Sequence, residues 1–485
     1  MADADVIPLA EGFAPATHDA WMRLVEKSLK GAEFETLRSR TADGIVVEPL
    51  YTAGESSPVR PAFSSDPARP WDVRALVTHP DPARAAGDVL HDLENGAASV
   101  LLSIDPTGPE GVAVGSRDEL ARALEGVVLD LAPVALDAGF LGPLATDWLA
   151  DLAKGGPQAP LAFHLDPLGA LARSGSSPGP IEAHVTLAAE TAARHVPTYP
   201  KARLFLASGR AAHEAGGSEA QELAMALAAA VAYAEALQRA GLSLEDAFAR
   251  ITLGLSADGA YLTTIAKLRA ARLLWAKATT ACGVSAPAVI EARSSRRMLS
   301  RLDAWSNLLR LTSAAFGAAL GGADAVVLEP FTAPLGPPTA FARRQARNIQ
   351  LVLMEEAGLG RVSDPAGGAW GMEALTDQLA RAAWTQFQEI QRQGGLAEAL
   401  MSGRLAEQVG RVRGQRRSDL AEGRTGMIGV TMFPSREAPP AVDTVDPAGF
   451  AADAPEVRLP GADSMATALR PIRWSEPFEQ DQEVA

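Results

Sequence analysis

Short apolar runs alternate with longer stretches in which apolar residues recur every three or four positions, and this alternation sets in at about Trp71. The runs at 99–104, 127–130, 134–136, 161–165, 203–207, 251–255, 288–291 and 324–328 read as strands, with 134–136 short enough to be a bend. Helical patterns fill the intervals, among them 266–280, 301–320, 341–357 and 373–393. Eight strands separated by helices predict an α/β fold, a closed (β/α)8 barrel over 71–403. Four runs end in a turn pair, Asp105-Pro106, Asp166-Pro167, Ser208-Gly209 and Glu329-Pro330. In such a barrel these pairs gather at the C-terminal face, where functional loops lie.

The densest of these units is 204–216. Leu204, Phe205 and Leu206 form a strand, Ser208-Gly209 breaks it, and Ser218 with Gln221 forms a capping box for a helix that Gly241 ends. On either side of the barrel the pattern weakens. Residues 1–70 form an arm with one amphipathic helix at 18–31 (Trp21, Leu24, Val25, Leu29) and an extended stretch at 45–51. Pro58, Pro61, Pro67 and Pro70 then keep the chain open. Such an arm cannot be stable alone and must pack on the barrel or on another subunit. Residues 404–485 read as a helix followed by an extended strap or tail rich in proline and acids. Arg404, Arg411, Arg413, Arg416 and Arg417 lie among acids and read as a solvated helix face.

Composition narrows the function classes. A formal charge of −15 argues against a general affinity for nucleic acid or anionic membrane. No apolar run reads as membrane-spanning, and the acidic start lacks a signal or transit pattern, so a cytoplasmic location is expected. The single cysteine, Cys282, rules out an internal disulfide framework and reads as a small core residue at a helix end. No metal site is expected, and Walker A, His-Glu-x-x-His and dinucleotide-binding glycine patterns are missing from the sequence.

From about Phe13 to Phe478 the chain resembles the methylmalonyl-CoA mutase family. The likeness is densest from Trp305-Ser-Asn-Leu-Leu-Arg-Leu-Thr to Met372. It takes in Gly321-Gly322, Pro338-Thr339, Phe341, Arg343, Ala346-Arg347-Asn348, Gln350 and Asp364-Pro365-Ala-Gly367-Gly368. The arm carries Trp21, Gly31, Glu48-Pro49-Leu50-Tyr51 and Arg69-Pro70-Trp71, which resemble family landmarks. By the resemblance, 204–216 corresponds to the active-site turn in which Ser-Gly-Tyr-His precedes Glu-Ala-Gly.

The departures from that pattern carry the functional expectation. Arg210 and Ala211 stand where catalytic members have Tyr and His, and a methyl group cannot donate the hydrogen bond that an imidazole gives to the thioester carbonyl. Gly209, Glu214, Arg347 and Asn348 are retained as vestigial motif positions, with Arg347 and Asn348 read as positioning the backbone. His213 reads as structural. The family's acidic pair near the corrin falls at Thr332-Ala333, and its Gln-Asn-Asp falls on Phe163-His164-Leu165-Asp166. The Asp-x-His-x-x-Gly of the family's cobalamin-binding domain is missing, since no histidine here has an Asp two places before it.

The resemblance therefore implies a non-catalytic small subunit with no catalytic and no cofactor-binding residue of its own. It would support a large subunit that binds adenosylcobalamin and interconverts (R)-methylmalonyl-CoA and succinyl-CoA, with a G-protein chaperone as a further partner of the holoenzyme. Two alternatives stand beside it: an acyl-CoA mutase subunit acting with a separate cobalamin-binding chain, and a module that binds CoA or an accessory protein. Whether the barrel is open or plugged is not decided by the sequence.

Overall fold

Eight parallel strands close into a barrel in chain order: β1 (Asp72–Val77), β2 (Ser99–Ser103), β3 (Val134–Asp137), β4 (Ala162–Leu165), β5 (Arg203–Ser208), β6 (Ile251–Ala257), β7 (Ile290–Ser294) and β8 (Ala325–Val327). The computed structural model describes residues 16–52, 66, 68–435 and 437–479. Phe13, Pro58, Pro61 and Pro67 of the sequence reading lie outside these residues.

The strand count holds, but one member is exchanged. The run at 127–130 is not a strand: Gly126 turns the chain with φ 83°, and Val128 is left exposed. The eighth strand is β1, which carries Asp72 and Arg74 at alternate positions and so hides its strand character. The run at 134–136 is β3 and not a bend.

The helices named below are α1 (His18–Leu29), α2 (Pro82–Glu94), α3 (Glu219–Arg239), α4 (Tyr261–Ala281), α5 (Asn307–Leu320), α6 (Ala340–Leu351), α7 (Trp370–Arg392) and α8 (Arg404–Ala421). The expected start of α5 at 301 moves to Asn307, because 301–306 turns before the helix begins. The helix expected over 341–357 is α6 followed by a wider π turn at Val352–Glu356. The main core lies between barrel and helices, where Val100, Leu102, Val134, Leu136 and Leu204 meet helix residues such as Val89, Leu120 and Leu149. Each such side chain contributes about 1.5–3 kcal/mol by leaving water.

Helix α3 starts at the capping box: Ser218 accepts from the Gln221 N–H, and the Gln221 side chain accepts from the Ser218 N–H. Its run of alanines lets α7 pack closely from outside. By length and composition α3 is apolar enough to cross a membrane, contrary to the sequence reading, yet 83% of that window is buried inside the protein.

The arm and the tail differ in how they are held. Helix α1 is capped by Thr17 and ends at left-handed Lys30, and none of its twelve residues is buried. Of the stretch at 45–51 only Val46–Val47 is a strand, paired with Ser39–Arg40. Asp43 between them accepts the Ala220 N–H at 3.2 Å, which ties this hairpin to the start of α3. The tail is a strap that circles the C-terminal face. Backbone N–H groups of Asp443, Ala452, Leu459, Leu469, Ile472 and Trp474 donate to carbonyls in the loops and short helices that follow β8, β2, β4, β5 and β7. Satisfying backbone groups on loops that are already fixed is what gives a proline-rich segment one path.

Two side-chain expectations are corrected. Cys282 is exposed and not in the core. Helix α8 is only partly a solvated face: Arg404 and Arg411 are exposed, but Arg413 packs on Gly216, and Arg416 lies over the Trp474 ring at 5.0 Å.

Candidate functional site

The C-terminal ends of β2, β3, β5 and β7 surround a cavity of about 620 Å³, whose lining includes Asp137, Arg173, Arg210, Ala211, Glu214 and Arg293, with Leu469 and Pro471 of the strap at its edge. Strand β5 delivers the two central positions. Gly209 sits so close to α3 that a Cβ would fall 2.0 Å from the Glu222 carbonyl oxygen, so only glycine fits this turn. The short helix Arg210–Glu214 follows, with Ala211 5% exposed on the cavity wall. Arg210 reaches Glu214 at 3.4 Å.

Glu214 acts as a clamp. Its carboxylate accepts the backbone N–H groups of Arg296 at 3.1 Å and Arg297 at 3.2 Å, and its own carbonyl accepts from Ile472. One residue thus fixes the loop after β7 and the strap against the mouth.

Below the mouth the barrel axis is filled in tiers. At the lower end Arg74 pairs with Glu291 at 2.5 Å and with Asp72 at 3.0 Å, beside Ser99 and His164. Interleaved with it in height is a small apolar cluster of Leu76, Leu101, Ala135, Ala162 and Val327, Ala162 preceding His164 on β4. Above it Arg293 holds Glu329 at 2.6 Å and lies 3.7 Å from Asp137, while Arg296 approaches Glu329 at 3.2 Å. Burial alone would raise the Glu329 pKa, but Arg293, Arg296 and Arg210 outweigh it and bring it to about 2. Asp137 is likewise lowered against its burial by Arg173 and Arg293. The axis is therefore plugged by side chains, and the cavity is a depression with a charged floor.

None of the other sequence-marked residues puts a donor group into this depression. His213 is fully buried, with Nδ1 3.1 Å from Glu222 and Nε2 3.5 Å from Asp258; Glu222 also takes Lys267 at 2.5 Å, and Asp258 takes Arg297 at 2.9 Å. Glu222 is held below the usual carboxylate range, since Lys267 and His213 overcome the opposing effect of burial. Phe163 is in the core, and His164 is buried in the barrel with a left-handed φ of 48° and a pKa pushed by burial down to about 4. Asp166 caps the helix Pro167–Ser174 and accepts from the Tyr233 hydroxyl at 2.6 Å. Thr332 is buried in the loop after β8, with Ala333 half-buried beside it. Arg347 is bonded to Asp92 of α2, outside the barrel, and half-buried Asn348 follows it on α6.

Sequence reasoning missed Arg173, Arg293 and Glu329 as site residues. A signal existed: Glu291 and Arg293, like Asp72 and Arg74, alternate along strands whose other face is apolar. In a closed barrel that alternation means side chains pointing to the axis. Among the described residues no group of three or more His, Cys, Asp or Glu side chains is arranged to hold a metal ion.

Comparison with known proteins gives the same direction throughout. The family model described as Methylmalonyl-CoA mutase matches residues 69–457. The chain is similar to the methylmalonyl-CoA mutase small subunit of Streptomyces virginiae, 41% identical over 479 residues, covering 94% of this chain and 76% of that one. It is 39% identical to the probable methylmalonyl-CoA mutase small subunit of Mycobacterium tuberculosis (strain ATCC 25618 / H37Rv), over 85% of this chain and 68% of the relative. The small subunit of Propionibacterium freudenreichii subsp. shermanii is 32% identical over 88% and 70% of the two chains.

Proposed function

Because the chain belongs to the methylmalonyl-CoA mutase family, we propose that it is the non-catalytic small subunit of a heterodimeric methylmalonyl-CoA mutase. Its role is to support the large subunit that interconverts (R)-methylmalonyl-CoA and succinyl-CoA. The observation that carries this reading is Ala211, a methyl group on the wall of the mouth at the family's imidazole position, with the nearby imidazole of His213 closed in between Glu222 and Asp258. The filled barrel axis adds to it, because a substrate arm has no path along the barrel.

The family depends on cobalamin, and the residues at this mouth do not fit that group. No imidazole is among the side chains lining the cavity, and the strap residues Leu469 and Pro471 stand at its rim. The corrin is therefore assigned to the partner chain, and the radical chemistry with it. In the same reading the chain divides at 70 and 403 into arm, barrel, and helix with strap. Helix α1, with no buried residue, is the surface offered to the large subunit. The holoenzyme would be cytoplasmic and would meet a G-protein chaperone, with no role for nucleic acid or membrane. What a barrel without a reaction supplies is stability, since a partner that folds against a large interface loses its folded state when this chain is absent.

Spectroscopic titration of the purified chain with adenosylcobalamin, alone and with the large subunit, tests the proposal. Corrin uptake and isomerisation are expected only in the pair. Stoichiometric uptake by this chain alone would overturn it.

A further inference from the structure

A second cavity, of about 300 Å³, lies apart from the mouth where five parts of the chain converge: the loop after β6, the loop after β7 at Met298, helix α5 at Arg310, helix α8 with residues 425–427, and the strap at Trp474. Its walls are of two kinds. Met298, Leu420, Met427 and Trp474 supply apolar surface, while Arg310 and Arg416 supply guanidinium groups. Asp258 and Asp419 also line it, but each is already matched by an arginine outside the lining, Asp258 by Arg297 at 2.9 Å and Asp419 by Arg424 at 2.7 Å.

The two arginines in the wall are not matched in this way. Arg310 donates to the Asn307 side-chain oxygen at 2.7 Å and to the Ile428 carbonyl at 2.5 Å, both neutral, and no carboxylate among the described residues lies within 4 Å of it. Arg416 meets Glu219 only at 4.0 Å, while Arg297 takes the same carboxylate at 3.0 Å. Its Nη1 is buried without a hydrogen bond. Burial disfavours the cation on both side chains; Asp303 opposes this for Arg310, while for Arg416 the neighbouring Arg297 adds to it and Glu219, Asp258 and Asp43 oppose it. Both side chains are only partly buried, and an anion that reaches their cavity-facing nitrogens would complete them.

We propose that this cavity is a binding site for a small organic carboxylate with an apolar tail, its carboxylate held by Arg310 and Arg416 and its tail against Trp474 and the methionines. The size sets the class: there is room for roughly ten water-sized groups, too few for a CoA thioester and enough for a six-carbon acid. Convergence of a few polar groups in an otherwise apolar hollow is the usual make-up of a small-molecule site. The methionine side chains adapt to tails of different shape.

The test is calorimetric titration of the full chain with hexanoate and phenylacetate, using hexanol and 2-phenylethanol as neutral counterparts. Both acids are expected to bind, and the alcohols to bind at least about tenfold more weakly. Arg310→Gln and Arg416→Gln are each expected to weaken the acids by about tenfold or more. In case an arginine variant fails to fold, Ala260→Phe at the exposed rim of the cavity keeps the charges and fills the hollow, and it should abolish binding. The proposal is overturned if neither acid binds up to about 10 mM, if the alcohols bind as well as the acids, or if Ala260→Phe binds like the wild type.

Discussion

Lys267 Nζ lies 2.5 Å from Glu222 Oε2, and both side chains are buried, directly beneath the turn that carries Arg210 and Ala211. Glu222 also accepts the Ser256 N–H at 2.5 Å, so this one carboxylate joins α3, α4 and the end of β6. Replacing Lys267 with Met leaves the carboxylate buried without its cation. A loss of about 3–5 kcal/mol is expected in denaturant unfolding. Adding Glu222→Gln, which keeps an acceptor for Ser256, should recover part of that loss.

In the proposed reading the mouth lacks more than one of the family's catalytic groups, and groups that act together do not restore activity one at a time. Arg210→Tyr combined with Ala211→His is therefore expected to give no isomerase activity in this chain, even with a separate cobalamin domain supplied. The double variant should still assemble with the large subunit and leave its turnover near the wild-type level. Activity in the variant without the partner would show an intact site and favour the alternative of an acyl-CoA mutase.

Helix α1 presents Trp21 to Phe34 and has no buried residue, whereas Asp43 is bonded to α3. Deleting residues 1–31 should thus spare the barrel. Sedimentation is expected to show weakened association with the large subunit, while circular dichroism shows the melting transition unchanged. Equal loss of both would assign the arm to the fold of this chain.

Asp166 is buried beneath the mouth, and its pKa is raised by that burial to about 6, against the pull of Arg173 and the Tyr233 hydroxyl. An acid whose folded pKa lies above its unfolded one favours the folded state at low pH and loses that contribution as pH rises from about 4 to about 6. The shift corresponds to roughly 3 kcal/mol. Asp166→Asn keeps an acceptor for the Gly169 N–H and removes the charge. Relative to wild type, the variant should gain stability over that interval and hold the gain at neutral pH, as measured by urea unfolding at several pH values. A constant difference from pH 4 to 7 would count against the titration of Asp166.

Local signals carried the sequence reading a long way. The capping box of Ser218 and Gln221, the turn pairs at 105–106, 166–167, 208–209 and 329–330, and seven of the eight strands depend on neighbouring residues, and they stand where the pattern put them, save that the run at 288–291 moves to Ile290–Ser294. The reading that places Ala211 at the position of the family's His likewise rests on sequence alone. Contacts between distant residues were beyond it. Strand β1 looks polar because Arg74 is satisfied by Glu291, 217 residues away, and nothing near Arg74 announces that partner. The same distance separates the alternation of Glu291 and Arg293 from its meaning, which depends on the closure of the barrel. Whether the axis is plugged, where the strap runs and which arginines of α8 are buried are set by how elements meet across the fold. Local sequence fixes backbone preference and capping, but a charge is read as solvated or paired only once the tertiary structure places its counter-charge.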